Sequence, residues 1–167
     1  RKLIGATKKR PIKGKRLEEL IKNNDIEQKL DEYISEFNKH NLLILNIEST
    51  PAIDNLDSIL ENPGIDAIQI GPHDLTSSLG IPEEYENIIY LNTVEKIFKK
   101  ARSKSVGAGI HAWGEPKYQK RLIDMGANMI IHKADAIFFQ QSLNKEIKEI
   151  RDLVGVEQNK ELRKIQI

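Results

Sequence analysis

The sequence predicts an α/β fold built on a parallel sheet, and three observations predict it. Four short, nearly continuous apolar runs of strand length recur along the chain: "LLILNIE" (42–48), "AIQIG" (67–71), "VGAGIHA" (106–112) and "ANMIIHK" (127–133). Stretches with apolar residues at helical spacing separate them, and Pro or Gly marks the joins. Strands apolar on both faces suit a parallel sheet buried between helices and a core. Strand alternating with helix is the pattern of repeated βα units. Four such units fit an open doubly wound sheet or half of a (β/α)8 barrel. A complete barrel needs about 250 residues, and this chain has 167.

Each element has its own signal. The stretch 15–40 is charged and helix-prone, and His40, just ahead of the first strand, reads as a surface residue. After that strand, "TPAIDNLDSIL" predicts a helix with Thr50 as N-cap, Pro51 at the first helical position, and Ile53, Leu56 and Leu60 on one face. "NPGIDA" ends it and feeds the second strand. Gly71 and Pro72 then turn the chain. Pro82 and Glu83 are expected to open a helix running to about Ser103, with Ile89, Val94, Ile97 and Phe98 among its apolar positions. Glu115 and Pro116 open another, closed near Gly126 as a C-terminal cap. A last amphipathic helix uses Leu143, Ile147 and Ile150 before Gly155. Residues 1–155 are expected to form the domain and 156–167 a polar tail.

Composition removes several function classes. Hydrophobic residues make up 39% and charged residues 31%, the balance of a folded globular protein rather than a disordered one. The formal net charge of +1 gives no electrostatic footprint for nucleic acid or a membrane surface. The absence of cysteine excludes disulfides, thiol catalysis and thiolate metal sites. No apolar run has the length of a membrane span, and the basic start lacks the apolar segment of a signal peptide. The expectation is a cytoplasmic protein. The nucleotide-binding sheets lose their usual marker, because neither GxGxxG after the first strand nor GxxxxGK[ST] occurs.

In parallel α/β folds the chemistry gathers at the carboxyl ends of the strands. The first strand ends in Asn46, Glu48 and Ser49. The second ends in His73 and Asp74, with Thr76, Ser77 and Ser78. The third ends in His111 and Trp113, and the fourth in His132, Lys133 and Asp135. Glu48 and Asp74 follow successive strands and so are expected to be neighbours. Two carboxylates in one mouth repel unless a proton or cation lies between them. Oxygen ligands without a thiolate suit a hard divalent ion such as Mg²⁺ or Mn²⁺. The plain alternative is that Glu48 caps the following helix and Asp74 the turn after Pro72. His111 and His132 are more often hydrogen-bonded structure than ligands or bases. Lys133 would serve a Schiff base with a carbonyl substrate, or an ion pair. Trp113 would either wall a pocket or pack under a loop.

The segment "NIESTPAIDNLDSILENPGIDAIQIGPHDLTSSLGIP" resembles the metal-dependent pyruvate aldolases of the HpcH/HpaI aldolase/citrate lyase family. The likeness lies in the Ile-Glu-[Ser/Thr] strand end, the Ala-[Ile/Val]-x-Asn-Leu-Asp helix and the Pro-Gly-[Ile/Val]-Asp turn. It also lies in Gly-Pro-x-Asp-Leu-[Ser/Thr]-x-Ser-Leu-Gly, and it extends more loosely from Leu42 to Leu153. The resemblance implies the C-terminal half of a (β/α)8 TIM barrel, about four βα units. It implies Glu48 and Asp74 as ligands of Mg²⁺, Mn²⁺ or Co²⁺, and backbone amides of His73 and Asp74 as receivers of a pyruvate carboxylate. It implies cleavage of a 4-hydroxy-2-oxo acid to pyruvate and an aldehyde in a homo-oligomer, trimer or hexamer, with no nucleic acid or membrane partner.

Two departures accompany it. The family's catalytic His and Arg lie in a first half of the barrel that this chain does not contain, so the chain is expected to be inactive alone. The family often carries Gln two residues before the metal Glu, where Asn46 stands here. The competing readings are a CoA-thioester lyase of the malyl-CoA or citryl-CoA type, a Schiff-base aldolase using Lys133, and a non-catalytic half-barrel.

Overall fold

A computed structural model describes residues 2–23 and 25–155. It divides into two compact units, the first running through Ile131 and the second starting at His132. The polar tail expected at 156–167 lies outside the described residues.

The first unit opens with three helices, α1 (Lys2–Lys8), α2 (Gly14–Asn23) and α3 (Gln28–Asn38). Strands β1 (Ile44–Ile47), β2 (Ala67–Ile70), β3 (Gly107–Ala112) and β4 (Met129–His132) follow. Helices α4 (Thr50–Asp54) and α5 (Leu56–Leu60) join β1 to β2, α6 (Pro72–Ser78) and α7 (Ile88–Ser103) join β2 to β3, and α8 (Pro116–Asp124) leads to β4. The sheet order is β1-β2-β3-β4. β1 and β2 run parallel with Ile47 opposite Ile70, and β2 and β3 run parallel with Ile70 opposite Ile110. The α/β class and its parallel sheet of βα units are therefore as the apolar runs predict.

Burial separates the two faces of the sheet. Ile47, Ile68, Ile70, Ala108 and Ile110 are buried, while Ile44 keeps 39% exposure and Asn46 is exposed. Side chains alternate across a strand, so the first set shares one face. Helix α7 covers that face with Tyr90, Leu91, Val94, Ile97, Phe98 and Ala101, all buried at helical spacing. Leu56, Leu60, Leu75 and Leu122 belong to the same cluster. Each large aliphatic or aromatic side chain hidden this way contributes about 1.5–3 kcal/mol.

Three local expectations are corrected. The residues after Gly71 form helix α6 rather than a turn, because Pro72 takes the first helical position and the Leu75 amide donates to the Gly71 carbonyl at 2.9 Å. The helix expected from Pro82 begins only at Ile88. Glu83 has φ 63°, which a right-handed helix excludes, and Asn87 is the cap, its side chain accepting from the Ile89 amide at 2.9 Å. Ser49 rather than Thr50 is the N-cap after β1, and Asn55, with φ −96° and ψ 9°, breaks that helix into α4 and α5. The stretch expected to be helix-prone, 15–40, holds α2 and α3 as its composition predicts, and α1 precedes it without a sequence signal that marked it.

The second unit is dominated by α9 (Asp135–Val154), which starts earlier than its apolar spacing suggested and ends at Gly155 in the left-handed region, φ 71°. It has no buried residue. Phe139, Leu143, Ile147, Ile150 and Val154 are exposed along it. Among the described residues no helix is long and apolar enough to cross a membrane.

Candidate functional site

The carboxyl ends of β1 and β2 begin adjacent turns, since Glu48 follows Ile47, Gly71 follows Ile70, and those two isoleucines are register partners. The Glu48 side chain folds over Gly71. A Cβ at position 71 would stand 2.8 Å from Glu48 Oε2 and 3.1 Å from Glu48 Cβ, so a side chain there would push the Glu48 carboxylate aside. Glycine at 71 therefore lets the Glu48 side chain come this close. Asp74 is three residues further on, in the first turn of α6, and is exposed.

The first turn of a helix leaves its amides without intrahelical acceptors. Pro72 has no N–H, and the first bond within α6 is made by Leu75. The amides of His73 and Asp74 are the two that precede it. Beneath them Thr76 is fully buried. Its hydroxyl donates to the His73 carbonyl at 2.9 Å and accepts from the Glu83 amide at 3.1 Å. The His73 ring lies 3.5 Å from the Glu83 carboxylate on the surface. At the other end of α6, Ser78 Oγ accepts from the Thr50 amide at 2.9 Å.

The partners of the acids divide them. Asp57 pairs with Lys100 at 2.6 Å and Glu86 with Arg121 at 2.6 Å. Among the described residues, the side chains of Glu48 and Asp74 make neither a hydrogen bond nor an ion pair. Helix capping, the plain alternative for both, is not what these carboxylates do: the caps of α4 and α6 have no side-chain cap bond. No cluster of three or more His, Cys, Asp or Glu side chains occurs among the described residues, so two carboxylates are the whole acidic set here.

His111 is half-buried at the end of β3, its ring 4.5 Å from that of Trp113. Both line a cavity of about 560 Å³ together with Pro72, Tyr85, Glu86 and Tyr118. Trp113 thus walls a pocket. Burial pushes the Tyr85 and Tyr118 phenols up, with Glu83 adding to the first and Glu86 to the second. Tyr90, behind them, is pushed up further by burial and by Tyr118. These phenols stay protonated and supply aromatic surface. Neither Tyr85 nor Tyr118 stood out in the sequence, and the only signal was an aromatic in each of "PEEYEN" and "EPKYQ". In the second unit, His132 lies 5.3 Å from the Phe138 ring, and Lys133, at φ 52°, has its Nζ 6.0 Å from the same ring.

Comparison with known proteins follows the same residues. The family described as HpcH/HpaI aldolase/citrate lyase matches residues 10–139. A 2-keto-3-deoxy-L-rhamnonate aldolase of Klebsiella pneumoniae is 29% identical over 147 residues, 88% of this chain and 55% of that protein. The crystal structure of an HpcH/HpaI aldolase from Desulfitobacterium hafniense superposes with TM-score 0.69 at 26% identity, covering 89% of this chain and 56% of the other. An HpcH/HpaI aldolase/citrate lyase family protein from Burkholderia cenocepacia shares the fold, with TM-score 0.65 at 23% identity over 72% of this chain and 46% of its own. The chain spans about half the length of the curated relatives it matches, and its four βα units are half the complement of a (β/α)8 TIM barrel. By the extent of the family match, the chain belongs to the HpcH/HpaI aldolase/citrate lyase family.

Proposed function

We propose that the protein takes part in divalent-metal-dependent cleavage of a 4-hydroxy-2-oxo acid to pyruvate and an aldehyde. Glu48 and Asp74 hold the cation, Mg²⁺, Mn²⁺ or Co²⁺, and the amides of His73 and Asp74 receive the pyruvyl carboxylate. The observation that carries this reading is the pair of carboxylates on adjacent strand ends, both without a partner among the described residues. Two such charges close to each other are unfavourable unless a cation joins them. The donor set fits: oxygens only, in a chain without thiolates. A cation held there supplies Lewis-acid polarisation of a keto group.

The chain's own groups bind and orient. Glu48 lies over Gly71, whose missing side chain leaves room for its carboxylate. The two amides at the start of α6 offer donors for a carboxylate beside the acids. The cavity walled by Trp113 and Tyr118 accepts the part of the substrate beyond the pyruvyl group. Proton transfer has no assigned residue among the strands present, and we propose that it comes from the His and Arg of four further strands in the complete barrel. Residues 1–155 act as part of one aldolase domain, and the exposed apolar stripe of α9 packs in a homo-oligomer, a trimer or hexamer.

The test is pyruvate release from a 4-hydroxy-2-oxo acid with Mn²⁺ supplied. The chain alone should show turnover near background, because loss of a general base costs about 10²–10⁴ in rate. Combined with the N-terminal half of a family member in the same vessel, it should gain chelator-sensitive activity. Equal activity of the isolated chain, or activity indifferent to a chelator, would contradict the reading.

A further inference from the structure

Helix α6 carries two residues whose side chains share one face. Asp74 and Ser78 are four apart, so they lie one turn above the other. Ser78 Oγ accepts the Thr50 amide at 2.9 Å and lies 3.4 Å from Thr50 Oγ1. Thr50 begins α4, two residues beyond Glu48. Its amide is one of the first-turn donors that a helix leaves unpaired, and the N-cap Ser49 makes no side-chain bond to it. A single hydroxyl from the second turn therefore satisfies a donor in the first. The link joins the face of α6 that presents Asp74 to the turn that carries Glu48.

We infer that Ser78 is a positioning residue that sets the separation of the Glu48 and Asp74 carboxylates. The inference rests on the reading of those two carboxylates as a cation site. The strands that precede the two acids are fixed to each other by ladder bonds. Beyond the strand ends those bonds stop, and each turn is free to rotate its carboxylate away from the other. Gly71 sets how close Glu48 lies to the second turn, but it does not orient α6. Thr76 anchors α6 to the loop at Glu83. Leu75 seats α6 in the core, and Ser78 supplies a side-chain tie from α6 to the turn that carries Glu48. Groups that orient ligands in this way typically change metal affinity by about 10–100-fold when removed.

The experiment is Mn²⁺ titration of the full chain by electron paramagnetic resonance, with the unfolding midpoint of each protein measured in chelator. Four proteins are compared: wild type, Ser78→Ala, Ser78→Thr and Glu48→Gln. Ser78→Ala should weaken Mn²⁺ binding by about 10–100-fold while its metal-free unfolding midpoint stays at the wild-type value. Ser78→Thr, which keeps the hydroxyl, should restore binding to within about threefold. If Ser78→Ala binds Mn²⁺ as wild type does while Glu48→Gln does not, the positioning role falls and the cation site stands. If Glu48→Gln also binds normally, both fall. If Ser78→Ala lowers the metal-free midpoint and Ser78→Thr does not restore affinity, the bond is merely structural and the inference is overturned.

Discussion

Strand β2 has an acid at each end, and the two are treated differently. At its amino end Asp66 is paired: its carboxylate meets Lys8 Nζ at 2.6 Å and accepts the Leu43 amide at 2.6 Å. Burial pushes that carboxyl up, but the hydrogen bonds from Lys8 and Leu43 and the charge of Lys8 outweigh it and hold the group below its ordinary value. At the carboxyl end Asp74, with Glu48 beside its helix, makes no such bond among the described residues. One end uses its carboxylate to tie α1 and the β1 approach to the sheet. The other keeps its carboxylates unspent. Barrel folds divide the same way, with stability on the face at the strands' amino ends and chemistry on the other.

The comparison assumes a rigid strand between the two ends, and the largest effect is expected from breaking that. Ile110 is fully buried opposite Ile70. Ile110→Ala should cost about 2–5 kcal/mol, read as a shift in the denaturant midpoint, and should loosen both ends together. A cost below about 1 kcal/mol would place the core elsewhere.

The paired and unpaired acids then make a matched test. Asp66→Asn should destabilise by about 1–2 kcal/mol at pH 7, the loss of charge-assisted hydrogen bonds discounted for partial exposure. Because the folded carboxyl titrates below its unfolded value, its contribution is present above about pH 4 and is lost as pH falls through the folded value. The difference between wild type and Asp66→Asn should therefore shrink below about pH 4. Asp74→Asn should change stability by no more than about 0.5 kcal/mol at any of these values. A larger loss on Asp74→Asn than on Asp66→Asn would reverse the assignment of the two ends.

Much of this was legible in the residues. The four apolar runs marked the strands because a parallel sheet hides both faces, and their ends placed Glu48, Asp74, His111 and Trp113 at one edge. The Gly-Pro after "AIQI" marked a break, but not that Pro72 would start a helix whose first two amides belong to His73 and Asp74. "IPEEYEN" reads as a helix start, yet Glu83 adopts a left-handed conformation and its amide donates to the hydroxyl of Thr76, seven residues back. That contact is tertiary and leaves no periodicity. The space left by Gly71 is taken by Glu48 from the end of the neighbouring strand, and the link from Ser78 to Thr50 spans 28 residues. Local patterns give the strand and the acid at its end, while the restraints that aim the acid come from across the sheet.

The division between the two ends is tested most directly by Mn²⁺ stoichiometry in three variants of the full chain, Glu48→Ala, Asp74→Ala and Asp66→Asn, each beside wild type by equilibrium dialysis. The account predicts one Mn²⁺ per wild-type chain, none held at the same free concentration by Glu48→Ala or Asp74→Ala, and an unchanged value for Asp66→Asn despite its lower stability. Wild-type stoichiometry in both Glu48→Ala and Asp74→Ala, or its loss in Asp66→Asn alone, would contradict it.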